Sequence, residues 1–205
     1  PLENKYLQMA CSTSRSNTIV FLGKIIETKG AFSLIKAFCS IASKYPNINL
    51  IMIGGGKIRA AQSLIDDQYR GRIKFTGYLS REEIKQKISS SLFCAIPSYF
   101  ENFSLAAMEV MACGKALIYT NRASGPELIN DKVNGLLVDP ENVCQIASAI
   151  EFLLNNLEQC QQMGLEAQKT ILHTFSENVV MEQIENYYKS CINSHRKNDT
   201  SSNNK

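Results

Sequence analysis

The chain has 205 residues, 44% of them hydrophobic and 20% charged, which is enough to build one sizeable core. Its net charge of +3 is compatible with an anionic ligand or a membrane surface, but it is too small to predict nucleic acid as a partner. The sequence has neither an apolar run of roughly 18 residues nor a basic-then-apolar leader, so we expect a cytoplasmic protein, for which peripheral contact with the inner face of a membrane stays open.

The two ends of the chain are polar. Residues 1–17 are aperiodic and predict a linker, and the opening Pro1 without an initiator Met indicates entry from a longer chain. Residues 193–205 contain no apolar side chain, so we expect a disordered tail there. The predicted domain is therefore 18–192.

Strand and helix patterns alternate through most of this domain. Short apolar runs predict strands at 18–22, 49–53, 73–76, 92–96, 116–119 and 136–138. Between them, helices are predicted at 31–45, at 58–69, after the capping box Ser80-Arg81-Glu82-Glu83, and from Ser104 to Gly114. Such repeated units predict an α/β, Rossmann-like fold, a parallel sheet with helices on both faces.

From residue 142 onward the pattern is all-helical. Apolar side chains repeat at helical spacing over 146–154, 165–172 and 180–191. The last of these stripes, Val180, Ile184, Tyr187 and Cys191, is expected to be only partly covered.

Cysteine and histidine usage bears on metal binding. Most of the seven cysteines lie in apolar segments without a C-x-x-C pair, which favours buried thiols over a disulfide framework or a zinc site. His173 and His195 have no second ligand at metal spacing, and no Asp-x-Asp pair follows a strand. We therefore predict no metal site and no cofactor.

The segment after the fourth predicted strand contains the main functional signal. Glu101 and Glu109 are separated by seven residues across a loop-to-helix junction. A helix that begins near Ser104 would direct its free N–H groups and positive dipole end at an anion such as a phosphate. Glu101 would lie beside that anion, and Glu109 would reach a group farther along, such as a ribose diol. The alternative is two solvated glutamates on an ordinary helix, which the spacing alone leaves open.

Other strand-end loops agree, because ligands of open parallel sheets bind at the carboxyl ends of the strands. Lys24 and Lys29 follow the first strand, where cations oppose a helix dipole unless an anion intervenes. Gly54 and Gly55 follow the second strand. Glycines there either let the backbone approach a ligand closely or allow a tight turn between strand and helix. Tyr78 follows the third strand. Its side chain would either contact a ligand or pack against the protein.

These segments resemble the retaining glycosyltransferases of the GT-B fold, particularly glycosyltransferase family four, over about residues 18–191. The spacing of Glu101 and Glu109 is similar to the Glu-x7-Glu signature of that family, and the segment from Gly23 to Gly30 is similar to its Gly-Arg-x4-Lys-Gly segment. Lys24 stands where the family has arginine, so a guanidinium that can form bidentate hydrogen bonds is replaced by the point charge of an ammonium. Residues 124–127 and 134–140 also resemble the family, as markers of fold.

The resemblance implies the donor-binding C-terminal half of such an enzyme. It would transfer a sugar, with retention and without a metal, from a nucleoside-diphosphate sugar to an acceptor glycan or lipid-linked sugar in surface-glycan synthesis. The catalytic residues would be Lys24, Lys29 and Glu101, with the lysines neutralising the departing diphosphate. The substrate-binding residues would be Gly54, Gly55, Tyr78, Asn102, Phe103, Ser104, Leu105 and Glu109.

The resemblance also implies that an acceptor-binding N-terminal domain is missing from this sequence, so that the chain would bind donor without completing transfer. Two other functions stay open at this point. One is a non-catalytic nucleotide-sugar-binding module, and the other is a sugar-nucleotide epimerase of related fold.

Overall fold

The computed structural model describes residues 17–202, with side chains described as far as residue 192. The predicted linker at 1–17 therefore lies, apart from its last residue, outside the described residues.

The centre of the fold is a parallel sheet. Its strands are β1 (Thr18–Leu22), β2 (Asn49–Ile53), β3 (Ile73–Gly77), β4 (Phe93–Ile96), β5 (Leu117–Thr120) and β6 (Leu136–Val138). They lie in the order β3-β2-β1-β4-β5-β6, and every neighbouring pair is parallel. This confirms the predicted α/β fold, and each strand lies within one residue of its predicted bounds. The strand order reverses between β1 and β4, which is the place where open α/β sheets bind ligands.

Helices cover both faces of the sheet. They are α1 (Ala31–Ile41), α2 (Ile58–Gln62), α3 (Arg81–Ser90), α4 (Leu105–Ala112), α5 (Gly125–Leu128), α6 (Val143–Asn155), α7 (Leu157–Thr170) and α8 (Glu177–Ser202). Short 3-10 turns lie at Glu27–Lys29 and Asp67–Arg72, and a π-helical turn lies at Ile171–Phe175. The predicted capping box is confirmed, since the Ser80 hydroxyl accepts from the Glu83 amide and the Glu83 carboxylate accepts from the Ser80 amide.

The core consists of two apolar layers, one on each face of the sheet. Ile19 and Phe21 of β1 pack into the layer built with α1 and α6. Val20 and Leu22 point to the opposite face and pack with α3 and α4. Alternate strand residues thus enter different layers, and a strand that is buried on both faces has a continuous apolar sequence.

Two predicted helices are shorter than their patterns indicated. α1 ends at Ile41 rather than at Pro46, because the Arg72 guanidinium donates to the carbonyls of Ala42, Tyr45 and Ile48 and holds them in a turn. The predicted helix at 58–69 is interrupted after Gln62, where the chain turns to bury Ile65 in the core.

The C-terminal helices also differ from prediction. α7 buries Cys160, Met163 and Ala167 but leaves Leu165 exposed. The buried face of this helix therefore begins earlier in the chain than the predicted stripe 165–172 and does not include Leu165. α8 continues to Ser202, whereas the sequence analysis expects a disordered tail from residue 193. Each residue added to an existing helix extends it at little cost. No helix within the described part of the chain is long and apolar enough to cross a membrane.

Candidate functional site

Two loops interlock where the strand order reverses. The 3-10 turn after β1 ends at Gly30, whose φ of 71° places it in the left-handed region. A Cβ on Gly30 would lie 1.8 Å from the carbonyl oxygen of Pro97, the residue after β4. The amide of Tyr99 donates to the carbonyl of Thr28 at 2.9 Å. The backbone thus holds both loops in one fixed arrangement.

An ion pair joins these loops. Nζ of Lys29 lies 2.8 Å from Oε1 of Glu101, and the Ser98 hydroxyl donates to the same oxygen at 3.0 Å. The side chain of Lys29 is 33% exposed and that of Glu101 is 13% exposed, so Lys29 is the more exposed partner of the pair. The structure therefore brings together two of the three predicted catalytic residues.

The start of α4 lies beside this pair. Ser104 is its N-cap and accepts from the Ala107 amide at 3.3 Å, so the helix begins where the sequence predicted. The first amides of a helix have no partner within it and carry its positive dipole end. A cleft of about 290 Å³ opens here, lined by Leu22, Gly23, Lys29, Ile96, Glu101, Phe103, Ser104, Leu105 and Ala106. An ammonium group and a helix N-terminus in one cleft are groups that can attract an anion.

The main chain of Glu101 is held from the β5 side. Both the amide and the hydroxyl of Ser124 donate to the Glu101 carbonyl, at 3.4 and 3.2 Å. Tyr119 lies fully buried next to them. Burial raises the pKa of its hydroxyl, the Ser124 hydroxyl lowers it in part, the Glu101 carboxylate raises it further, and the Ser104 hydroxyl lowers it in part.

Tyr78 projects over the loop after β2. Its side chain is 84% exposed, yet its ring lies 2.7 Å from the position of a Cβ built on Gly55. Gly54 and Gly56 have φ values of 132° and 141°, whereas Gly55 does not have positive φ. The absence of a side chain at Gly55 therefore makes room for the Tyr78 ring.

The remaining predicted site residues are not part of the Lys29–Glu101 ion pair, and the structure shows only where they lie. Lys24 is exposed and does not line the cleft. Asn102 is exposed in the loop before α4, and Glu109 is half-buried four residues into α4. The roles predicted for Lys24 at the diphosphate and for Glu109 at a ribose stay predictions.

Three residues at the site were not predicted from the sequence. Ser98 and Ser124 hold Glu101, and Arg122 lies over the Tyr99 ring while its guanidinium pairs with Asp139. Ser98 could have been noticed because it lies in the loop just after a strand, two residues beyond the end of β4. The partners of Ser124 and Arg122 are distant in sequence, and no local pattern indicates them.

The contact between Tyr78 and Gly55 leads to a first prediction. Gly55→Ala should displace the exposed ring. We expect it to weaken binding of the nucleotide that the family resemblance implies by about five- to tenfold, the lower part of the range for one base–aromatic contact. In a Tyr78→Ala background the same change should have almost no further effect, because the clash is removed. Calorimetric titration of the four proteins with nucleoside diphosphates measures this. Additive losses in the double variant would show that Gly55 acts independently of Tyr78.

The fold is a Rossmann-like domain, with a cleft suited to an anion at its topological switch point. The family model for glycosyl transferases group 1 matches residues 11–170, and the chain belongs to this family.

Known proteins are similar to this chain in sequence, and solved structures are similar to it in fold. A capsular polysaccharide biosynthesis glycosyltransferase of Staphylococcus aureus, CapM, is 24% identical over 93% of this chain and 50% of its own length. The crystal structure of the C-terminal domain of a glycosyl transferase group 1 family protein (LpcC) from Francisella tularensis has a TM-score of 0.76 at 23% identity and covers 86% of this chain and all of that one. Anabaena Alr3699/HepE in complex with UDP-glucose has a TM-score of 0.75 at 21% identity over 84% of this chain and 48% of that one.

The length of the match is also informative. The chain spans between 33% and 50% of the length of the curated relatives it matches. The similarity therefore concerns one part of those proteins.

Proposed function

We propose that this chain is the donor-binding part of a retaining glycosyltransferase that takes a sugar from a nucleoside-diphosphate sugar and builds a surface or lipid-linked glycan. The observation that carries the proposal is the Lys29–Glu101 pair at the N-terminus of α4. Membership of the glycosyl transferases group 1 family supports sugar transfer as the reaction. The similarity to a capsular polysaccharide enzyme supports a surface glycan as the product.

The chemistry that this site can supply is electrostatic. When the bond from the sugar to the diphosphate breaks, negative charge develops on the leaving phosphate. Fixed positive groups that face that charge stabilise the transition state more than the ground state. The first amides of α4 are such groups, and Lys29, which lines the same cleft, adds a positive charge when it turns from Glu101 to the phosphate. We infer that they take the place of a metal ion.

The carboxylate of Glu101 has a different role in this proposal. It is held against Lys29 and Ser98 in the wall of the cleft. We infer that the sugar of a bound donor lies beside it. There it can orient the sugar as positive charge develops on the anomeric carbon. The resemblance of the segment 101–109 to the Glu-x7-Glu signature supports retention of configuration.

A binding experiment tests the metal-free donor site. UDP-glucose, GDP-mannose and ADP-glucose, each with its free nucleoside diphosphate, would be titrated into the protein by calorimetry in EDTA and then in Mg²⁺. We expect at least one pair to bind, with an affinity in EDTA that stays within about twofold of that in Mg²⁺, because the protein itself supplies the positive field. Loss of all binding in EDTA would refute the metal-free mechanism, and absence of binding under both conditions would refute the donor site.

A further inference from the structure

The Ser98 hydroxyl is the buried contact of the Glu101 carboxylate. Ser98 is fully buried, and its Oγ lies 3.0 Å from Oε1 of Glu101 and 3.4 Å from the carbonyl oxygen of Lys29. A hydroxyl has one proton to donate, and the shorter contact to a charged acceptor is the stronger hydrogen bond. The proton of Ser98 is therefore directed at Glu101.

The backbone of Ser98 is fixed on both sides. Its own amide donates to the carbonyl of Ile96 at 2.9 Å, and the next amide, that of Tyr99, donates to Thr28 at 2.9 Å. Gly30 packs directly against the carbonyl of Pro97. The hydroxyl is consequently presented from a rigid segment, which is the condition for holding a carboxylate in one geometry.

The other contact of Glu101 is less permanent. Within the described residues, the carboxylate is held by Ser98 and by Lys29. Lys29 is partly exposed and lines the cleft in which an anion would bind. A phosphate there would draw the ammonium towards itself, because this contact is also charge-assisted. Glu101 would then depend on Ser98.

We propose that Ser98 is the positioning residue of the site, and that it keeps the Glu101 carboxylate in place when Lys29 turns to the diphosphate. This inference rests on the proposed function and adds to it a residue that acts through Glu101. Its consequence is selective, because loss of the hydroxyl should weaken recognition of the sugar and leave recognition of the nucleoside diphosphate intact.

Ser98→Ala and Ser89→Ala form a matched pair of variants. Ser89 is also a buried serine, but its hydroxyl is not among the groups that hold Glu101 and it does not line the cleft. We expect Ser98→Ala to lower the affinity for UDP-glucose by about tenfold relative to UDP, the scale of one hydrogen bond to a charged group. Ser89→Ala should leave that ratio unchanged. In a Glu101→Ala background, Ser98→Ala should have no further effect on it.

A second measurement does not depend on the donor. Crystal structures of Lys29→Ala and of Lys29→Ala/Ser98→Ala, without ligand, separate the two contacts of Glu101. We expect the carboxylate to keep its position in the single variant and to leave it in the double variant. A carboxylate that moves in Lys29→Ala alone, or stays in the double variant, would overturn the proposal. If wild-type protein binds neither UDP nor UDP-glucose, the use of this donor fails, and the crystal structures still decide the role of Ser98.

Discussion

Lys29→Ala is expected to lower the affinity for a nucleoside diphosphate by at least tenfold. A hydrogen bond between charged groups contributes about 1.5–3 kcal/mol. The substitution also leaves Glu101 without its ammonium partner, so that the carboxylate repels the incoming phosphates. Calorimetric titration with UDP and GDP measures the loss directly.

Lys44→Ala is the matched control for this experiment. Lys44 lies just beyond the C-terminal end of α1 and pairs with Glu151 at 2.7 Å, whereas Lys29 lies just before the N-terminal end of the same helix. Both substitutions remove one positive charge and one ion pair, but only Lys29 lines the cleft. Equal losses for the two variants would mean that net charge, and not the site, determines binding.

Gly30→Ala is expected to have the largest effect on stability. A Cβ would lie 1.8 Å from the Pro97 carbonyl oxygen, which is a backbone atom that cannot rotate away, and the φ of 71° disfavours any other residue. The interlocked loops would have to separate, so we expect a loss of about 3 kcal/mol or more in the free energy of unfolding. Urea denaturation of both proteins gives this value: if the m-value is unchanged, the shift of the midpoint urea concentration multiplied by the m-value is the change in the free energy of unfolding.

Gly71→Ala serves as the comparison. Gly71 has no atom within 4 Å of a built Cβ, and its φ is not positive. This variant should remain within about 0.5 kcal/mol of the wild type, as surface substitutions usually do. A Gly30→Ala protein as stable as Gly71→Ala would contradict the close approach of the two loops.

The strands could be predicted from the sequence because each is buried on both faces, so that a short apolar run marks its bounds directly. The ends of the helices were predicted less accurately than the ends of the strands. α1 ends where Arg72, 30 residues away along the chain, takes the carbonyl of Ala42. Helical periodicity continues past that point because it reports which side chains are apolar and not which carbonyls are occupied.

At the site, too, local sequence predicted which residues take part but not which of them contact one another. Lys29, Glu101 and Ser104 could be predicted because each lies in a strand-end loop, and all such loops of a parallel sheet meet at one edge. Their direct pairing could not be predicted, since 72 residues separate Lys29 from Glu101. The support from Ser98 and Ser124 depends on distances of a few ångströms between loops, which spacing along the chain does not determine.

α8 has a consequence for the cooperativity of unfolding. Every described side chain from Met181 to Ile192 is exposed, among them Ile184 and Tyr187 of the stripe predicted to be partly covered. A helix without packing has only the marginal stability of an isolated segment, whereas the sheet is stabilised by both apolar layers. The two parts should therefore open with different free energies, and amide hydrogen exchange should be fast along the exposed turns of α8 and slow in β1. A single unfolding energy would then describe the sheet but not this helix.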